Sequence, residues 1–258
     1  MKINSAEKLS NKLVKAFLKN KIISPLPLKF TKQLKNADKF RKLCESKVNE
    51  PIIGFKAGGT ALPVMKKLRE KEPFYASVYK RNFLQNGKNV KINKFTLGIE
   101  LEVTYLIKKE FFNFKKNITK NNILKFISHI APSIEVVGYR QRKKGIKSFG
   151  DLSSDFGANI KFVIGKKKKY KKINVNNLKT IIKNKRIKQI VNGNTNTVYI
   201  NPLNSLKFVL NKLRKDKVVL NTNFYVFTGS TVGVVPIISK GLYEARIEKI
   251  GSVKAFIN

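Results

Sequence analysis

Between Ser5 and Asn20 the apolar residues fall at Leu9, Leu13, Val14, Phe17 and Leu18. Steps of three and four residues place them on one helical face. Ser5 stands where an N-cap would start that helix, and Ser24-Pro25-Leu26-Pro27 ends it. A second helical pattern covers 31–48, with Leu34, Phe40 and Leu43 inward, as far as the break at Asn49-Glu50-Pro51. Residues 1–50 therefore read as a helical appendage.

From Ile52 the period changes. Short apolar runs recur with turn residues between them, which predicts strands. IIGFKAGGT is a strand running into a Gly-rich turn, and ALPVMKKLREK a short helix. Residues 76–85 and 88–95 flank Asn86-Gly87, a hairpin-type dipeptide. Strands are expected at 98–107, 133–137, 161–164 and 198–200, with extended chain at 218–228 and one or two strands in 245–257. A helix is expected over 119–131, ending before Pro132 and carrying His129 near its end. A second covers 202–214, with Pro202 near its start. Many short strands and few helices predict an α+β chain: a β-rich mixed roll over 51–258, not a doubly wound sheet.

Charge changes the picture less than its size suggests. The chain holds 55 Lys+Arg against 15 Asp+Glu, a formal net charge of +40. A nucleic-acid partner is the first reading of such a surface. Against it, 47 of the cations are Lys and 8 are Arg, and they run through the whole chain among many Asn and Ile. Base reading and bidentate phosphate clamps rely on Arg, and A/T-rich codons alone produce a Lys-Asn-Ile-Phe bias. The run GKKKKYKK at 165–172 is read as a solvated loop or hairpin tip. The single cysteine, Cys44, excludes an intrachain disulfide and a Cys-based metal site, and the single histidine, His129, excludes multi-His zinc. There is no apolar run long enough for a membrane span. The N-terminal segment lacks the apolar centre of a secretory signal, so a cytoplasmic location is expected.

With acids scarce, their positions carry information. Glu100 and Glu102 sit two residues apart in GIELEVTYLI, which in a strand puts both on one face. Glu135 interrupts another apolar run, SIEVVGYR. Three such carboxylates suit a hard divalent cation; the same spacing also fits ordinary alternation, with the glutamates in solvent. Lys56 in GFKAGGT can hold a substrate carboxylate or stand exposed. Asp151 and Asp155 in FGDLSSDFGAN can orient a water or form turns. Thr228-Gly229-Ser230 offers backbone and hydroxyl groups to an anion, or a plain turn.

Taken in order, these segments resemble the 2-keto-4-pentenoate hydratase family of the fumarylacetoacetate-hydrolase-like superfamily. The resemblance covers about residues 24–258. It rests on GFKAGGT, EPFYASVY, IELEVTYLI, APSIEVVGYR, GDLSSDFGANIKFVIG, INPLNSLKFVLNKL, and FTGSTVGVVPI with IGSVKAF. It implies the superfamily's β-rich roll and Mg²⁺ or Mn²⁺ on Glu100, Glu102 and Glu135. Lys56 would be the active-site lysine, with Ser154 and Asp155 as polar supports. The implied reaction adds water to a 2-hydroxy-2,4-dienoate, giving a 4-hydroxy-2-oxo acid, in a homo-oligomer. A decarboxylase acting on a 2-oxo-3-enedioate is the nearest alternative; an inactive family member or a basic nucleic-acid-binding protein are the others. The chain departs from the pattern at Ala76, at Ser153-Ser154, at Asn223 and in the lysine run. The position of its one histidine disfavours C–C hydrolysis.

Overall fold

The computed structural model describes residues 2–141 and 145–258. The N-terminal part is helical, with α1 (Lys2–Lys19), the single turn α2 (Leu28–Thr31) and α3 (Leu34–Glu45). Helix α1 already runs through Ser5, so that residue lies inside the helix and does not cap it. Leu13, Val14 and Phe17 of α1 are buried with Phe40 and Cys44 of α3. The same cluster takes in Tyr79 and Phe156 from the β-rich part, so the helices share a core with it.

The rest of the chain runs β1 (Ile52–Gly58), α4 (Leu62–Lys67), β2 (Phe74–Tyr79), β3 (Phe83–Gln85), β4 (Asn89–Val90), β5 (Thr96–Ile107) and β6 (Ile127–Gly138). It continues through α5 (Phe149–Ser153), β7 (Asn159–Ile164), β8 (Lys168–Lys169), β9 (Lys179–Asn184), β10 (Gln189–Asn194), α6 (Pro202–Lys215), β11 (Phe224–Ser230), β12 (Gly241–Ile247) and β13 (Gly251–Ile257). Two sheets result. The larger is ordered β2-β1-β11-β5-β6-β7-β3, with β8 added beside β6; the smaller is ordered β10-β9-β12-β13-β4. Strand β1 is parallel to β11 and antiparallel to β2, so the larger sheet is mixed, as a β-rich α+β roll requires.

Alternation along the two central strands decides everything that follows. Ile99, Leu101, Val103, Tyr105 and Ile107 of β5 face Tyr243, Val253 and Ile257 of the smaller sheet and the Leu206–Leu213 side of α6, forming the main core. Glu100, Glu102 and Thr104 point to the opposite face. Helix α6 begins as its sequence predicts: Asn201 caps it by accepting from the Asn204 N–H, and Pro202 follows, where a missing donor is harmless.

Besides the Ser5 cap, three expectations of local structure fail. Residues 119–131 are not a helix: Ile123–Phe126 form one 3-10 turn and Ile127 opens β6. Pairing with β5 outweighs the helical spacing of the isoleucines, and His129 lies in a strand, opposite Leu106. Asn86-Gly87 does form a turn, yet not a hairpin: β3 pairs with β7 and β4 with β13. Residues 198–200 form no strand, because Tyr199 and Ile200 adopt positive φ of 48° and 75°. The lysines of the 166–172 run are exposed, as a solvated loop or hairpin tip would place them, and Lys168–Lys169 make a short strand on β6.

Candidate metal centre and substrate cavity

Register brings four distant residues together. Glu100 of β5 lies directly opposite Glu135 of β6, and Glu102 opposite Ser133. On its other side Glu102 faces Ser230 of β11. One strand further on, Lys56 of β1 pairs with Phe227 of β11. All four side chains occupy the face turned away from the main core. One carboxylate oxygen from each glutamate lies within 4.8 Å of the others. Lys56 Nζ donates to Glu135 Oε1 at 2.5 Å, and the Gly229 N–H donates to Glu102 Oε2 at 3.1 Å. Glu102 and Glu135 are fully buried and Lys56 is 4% exposed, while Glu100 is half-buried. The alternation reading, with these glutamates in solvent, does not describe this strand pair.

Like charges directly across a sheet destabilise it, and burial sharpens the conflict. Burial, then Glu135, pushes the Glu100 carboxyl up to about 7 against the pull of Lys56. Burial, then Glu100, does the same to Glu102, also to about 7, opposed by Lys56 and by the Gly229 N–H. Burial raises Glu135 well above the usual carboxylate range although Lys56 lowers it. Burial works to lower the Lys56 ammonium, but Glu135, Glu100 and Glu102 outweigh it, so its affinity for its proton is raised. Glu102 Oε1 and Glu135 Oε2 are buried with no donor from the rest of the chain; only a proton shared between the two carboxyls joins them, and it is lost when both ionise. Such atoms are costly unless something not present in the chain satisfies them. Three ionised carboxylates beside one ammonium leave two negative charges, the charge of one divalent cation. An all-oxygen donor set suits Mg²⁺, Mn²⁺ or Ca²⁺. The cluster therefore fits a hard divalent ion.

Through Glu100 and Lys56 the cluster opens into a cavity of about 990 Å³. Its lining includes Lys56, Thr60, Glu100, Gly157, Gly229 and Thr231. Two glycines are required there. At Gly229, with φ of 105°, a Cβ would lie 2.1 Å from Thr60 Oγ1, and a side chain would disrupt the backbone turn that aims the N–H at Glu102. At Gly157, with φ of 70°, a Cβ would lie 2.7 Å from Ala76 Cβ and 3.3 Å from Lys56 Cδ. Bare backbone is what lets the lysine stem lie flat.

The other nominated residues are distributed differently. Gly229 and Ser230 line the cavity, and the Ser230 hydroxyl donates to Gly233 O at 2.8 Å. Thr228 is fully buried and donates to Val103 O at 2.7 Å, within the sheet. Asp155 accepts from the Arg140 backbone N–H at 2.6 Å and from Arg140 Nη1 at 3.1 Å, both groups buried. Ser154 donates to Asp151 O at 3.3 Å, and its hydroxyl lies 3.4 Å from Gln141 Nε2. The structure thus places Asp155 and Ser154 in a network behind the cavity wall, and Asp151 with them accepts from the Lys147 N–H. Sequence reasoning passed over Thr60, Thr231 and the 232–235 segment. The segment's N–H and C=O at Val235 bridge to Ile99, and the N–H of Thr231 donates to Leu101 O. Gly98, where a Cβ would meet Val235 O at 2.4 Å, was the available signal for this close approach.

No protein-family model and no curated protein matches the chain in sequence. Solved structures match it in fold. The 4-oxalocrotonate decarboxylase from Pseudomonas putida G7, complexed with magnesium and adipate, superposes with a TM-score of 0.83 at 18% identity, over 100% of this chain and 99% of that one. The same enzyme complexed with calcium and acetate gives 0.84 at 18% identity, over the same shares. Fumarylpyruvate hydrolase from Pseudomonas aeruginosa, in complex with Mn²⁺ and pyruvate, gives 0.61 at 11% identity, over 82% of this chain and 91% of that one. The chain has the fumarylacetoacetate-hydrolase-like fold.

Proposed function

We propose that the chain is a divalent-metal-dependent lyase for small 2-oxo acids or their enols. The reaction its cavity suits best is hydration of a 2-hydroxy-2,4-dienoate to a 4-hydroxy-2-oxo acid. One observation carries this reading: Glu100, Glu102 and Glu135 converge beside a buried lysine, and Glu100 and Lys56 open from that cluster into a large cavity. Support comes from structures of the same fold that hold magnesium, calcium or manganese with small carboxylates.

A Mg²⁺ or Mn²⁺ ion on the three carboxylates would supply Lewis-acid stabilisation of negative charge on the 2-oxo oxygen. The rest is the work of the chain itself. Lys56 is held beside Glu135 and attracts the carboxylate end of a substrate to the floor. Its raised proton affinity keeps it an ammonium at Nζ, suited to hydrogen-bonding an enolate oxygen and stabilising the negative charge that develops there. Gly229 holds Glu102 in place through its N–H, so that carboxylate cannot swing away.

The two readings differ in how many substrate carboxylates the cavity must hold. Among the described lining residues Lys56 is the one Lys or Arg, which suffices for the single carboxylate of a dienoate. The decarboxylase reading keeps a specific support of its own, the full-length superposition on 4-oxalocrotonate decarboxylase. The deciding experiment follows 2-hydroxypenta-2,4-dienoate spectrophotometrically with Mg²⁺ or Mn²⁺ and with a chelator, alongside CO₂ release from 2-oxohex-3-enedioate. Metal-dependent loss of the dienoate chromophore with formation of 4-hydroxy-2-oxopentanoate is expected. CO₂ release without hydration would shift the assignment to the decarboxylase, and no metal-dependent turnover of either would overturn it.

A further inference from the structure

Resting on that reading of the metal centre, we infer that the cavity takes a 2-oxo acid or enol whose far end carries an extended apolar tail, alkyl or aryl. Cavities of roughly 300–1,000 Å³ hold drug-sized ligands. At about 990 Å³ this one is far larger than a five-carbon acid needs. Its outer wall is also of the wrong character for water. Of the eleven exposed large hydrophobic side chains among the described residues, six line this one cavity: Leu62, Val64, Leu97, Ile146, Ile200 and Val234, at 42–60% exposure. Exposed apolar groups scattered singly need no explanation; a ring of them around a polar floor does.

The ring is built with care in two places. Ile200 is 60% exposed and has φ of 75°. A β-branched residue in the left-handed region is a strained outlier that survives only where its surroundings impose it. They do so here: the Tyr199 N–H donates to Thr60 O at 2.9 Å, and Asn204 Nδ2 donates to Tyr199 O at 3.2 Å. An asparagine or glycine would occupy that position without strain, and the chain instead presents a large apolar side chain at the rim. Across the rim, Val235 and Ile99 exchange both backbone hydrogen bonds, at 2.8 and 2.9 Å. That bridge sets Val234 against Gly98, where a Cβ would lie 2.8 Å from Val234 Cγ1, next to Leu97. The floor fixes the acid end and the rim receives the tail.

The test is calorimetric binding of pyruvate, 2-oxobutanoate, 2-oxohexanoate and 2-oxooctanoate to the Mg²⁺-loaded protein. Metal-dependent pyruvate binding is expected, with affinity rising by up to about fourfold per added methylene, the transfer free energy of a buried CH₂. Ile200→Gly, which relieves the backbone strain and therefore folds, should flatten the series and leave pyruvate binding unchanged. Val234→Ser, which shortens the apolar side chain without adding a charge, should do the same. Pyruvate binding with a flat series in the parent protein overturns the inference and leaves the metal centre standing. A rise that both variants preserve also overturns it. If the variants preserve the rise and also dissociate a homo-oligomer in sedimentation velocity, the ring is an interface between copies of this chain. Failure of pyruvate to bind with or without metal overturns both this inference and the function it rests on.

Discussion

Two buried ionic clusters lie on the same side of the larger sheet, and they are built on opposite plans. In the first, Asp155 meets Arg140: one oxygen takes the backbone N–H, the other the guanidinium, and Nη2 donates to Asn159 O. Charge closes locally, one carboxylate against one guanidinium, although Arg140 Nε finds no partner. In the second, three glutamates share one lysine, and two of their oxygens find no donor in the rest of the chain. Burying an ion pair is tolerated when geometry and extra hydrogen bonds offset desolvation; burying three like charges beside one cation is not a way to stabilise a fold. The balanced cluster holds the chain together, and the unbalanced one is shaped for something the chain does not contain. This contrast, more than the presence of acids, identifies the candidate site.

The sharpest break of the comparison is Glu102→Ala. Metal binding measured by calorimetry should be lost and turnover with it, while circular dichroism keeps its native form because a repulsive charge has been removed. Unchanged metal affinity would sink the triad. Next in size is Lys56→Ala. Turnover should fall by about 10²–10³, the range for removing one donor to a developing oxyanion, with Mg²⁺ affinity not weakened, since a neighbouring positive charge is gone. A normal rate removes Lys56 from the chemistry. Asp155→Ala tests the other cluster. It leaves Arg140, 1% exposed, without its counter-charge, and removing one partner of a buried pair costs about 3–5 kcal/mol. Thermal stability should drop clearly while Mg²⁺ affinity holds. The reverse pattern, lost turnover at unchanged stability, would restore Asp155 to the catalytic role its motif suggested.

That last pair of outcomes shows where the sequence was legible and where it was not. The i, i+2 spacing of Glu100 and Glu102 within an apolar strand reports a shared face directly, because strand alternation is local. Glu135 was nominated as an acid inside a second apolar run, but its position opposite Glu100 depends on the register of β5 against β6, which spacing does not encode. Asp155 shows the limit more clearly. Its motif was visible, but Arg140 lies fifteen residues earlier, and nothing in a polar loop says which acid is already paired. The same rule separates the elements. Helices α1 and α6 carry their own period, and α6 its own cap, and were read within a few residues, whereas 119–131 and 198–200 took their conformation from distant partners. The apolar rim was unreadable for a different reason: its members come from segments as far apart as Leu62 and Val234 and meet only in the fold.

The smallest effect is set by pH, and it returns to the unbalanced cluster. Glutamates titrate near 4.3 in an unfolded chain, whereas Glu100 and Glu102 are raised to about 7 in the folded one. Between those values the folded state binds more protons than the unfolded state, so stability falls as pH rises. The penalty is absent below the unfolded value, grows through the interval, and is complete above about 7. A divalent cation neutralises the same carboxylates and competes with the same protons. In chelator, therefore, the melting temperature should decline between pH 5 and 8 by more in the parent protein than in Glu100→Gln or Glu102→Gln. The rise in melting temperature produced by Mg²⁺ should be larger at pH 8 than at pH 5.5. An equal Mg²⁺ effect at both pH values would mean that the ion binds somewhere other than these carboxylates, and the contrast between the two clusters would lose its chemical meaning.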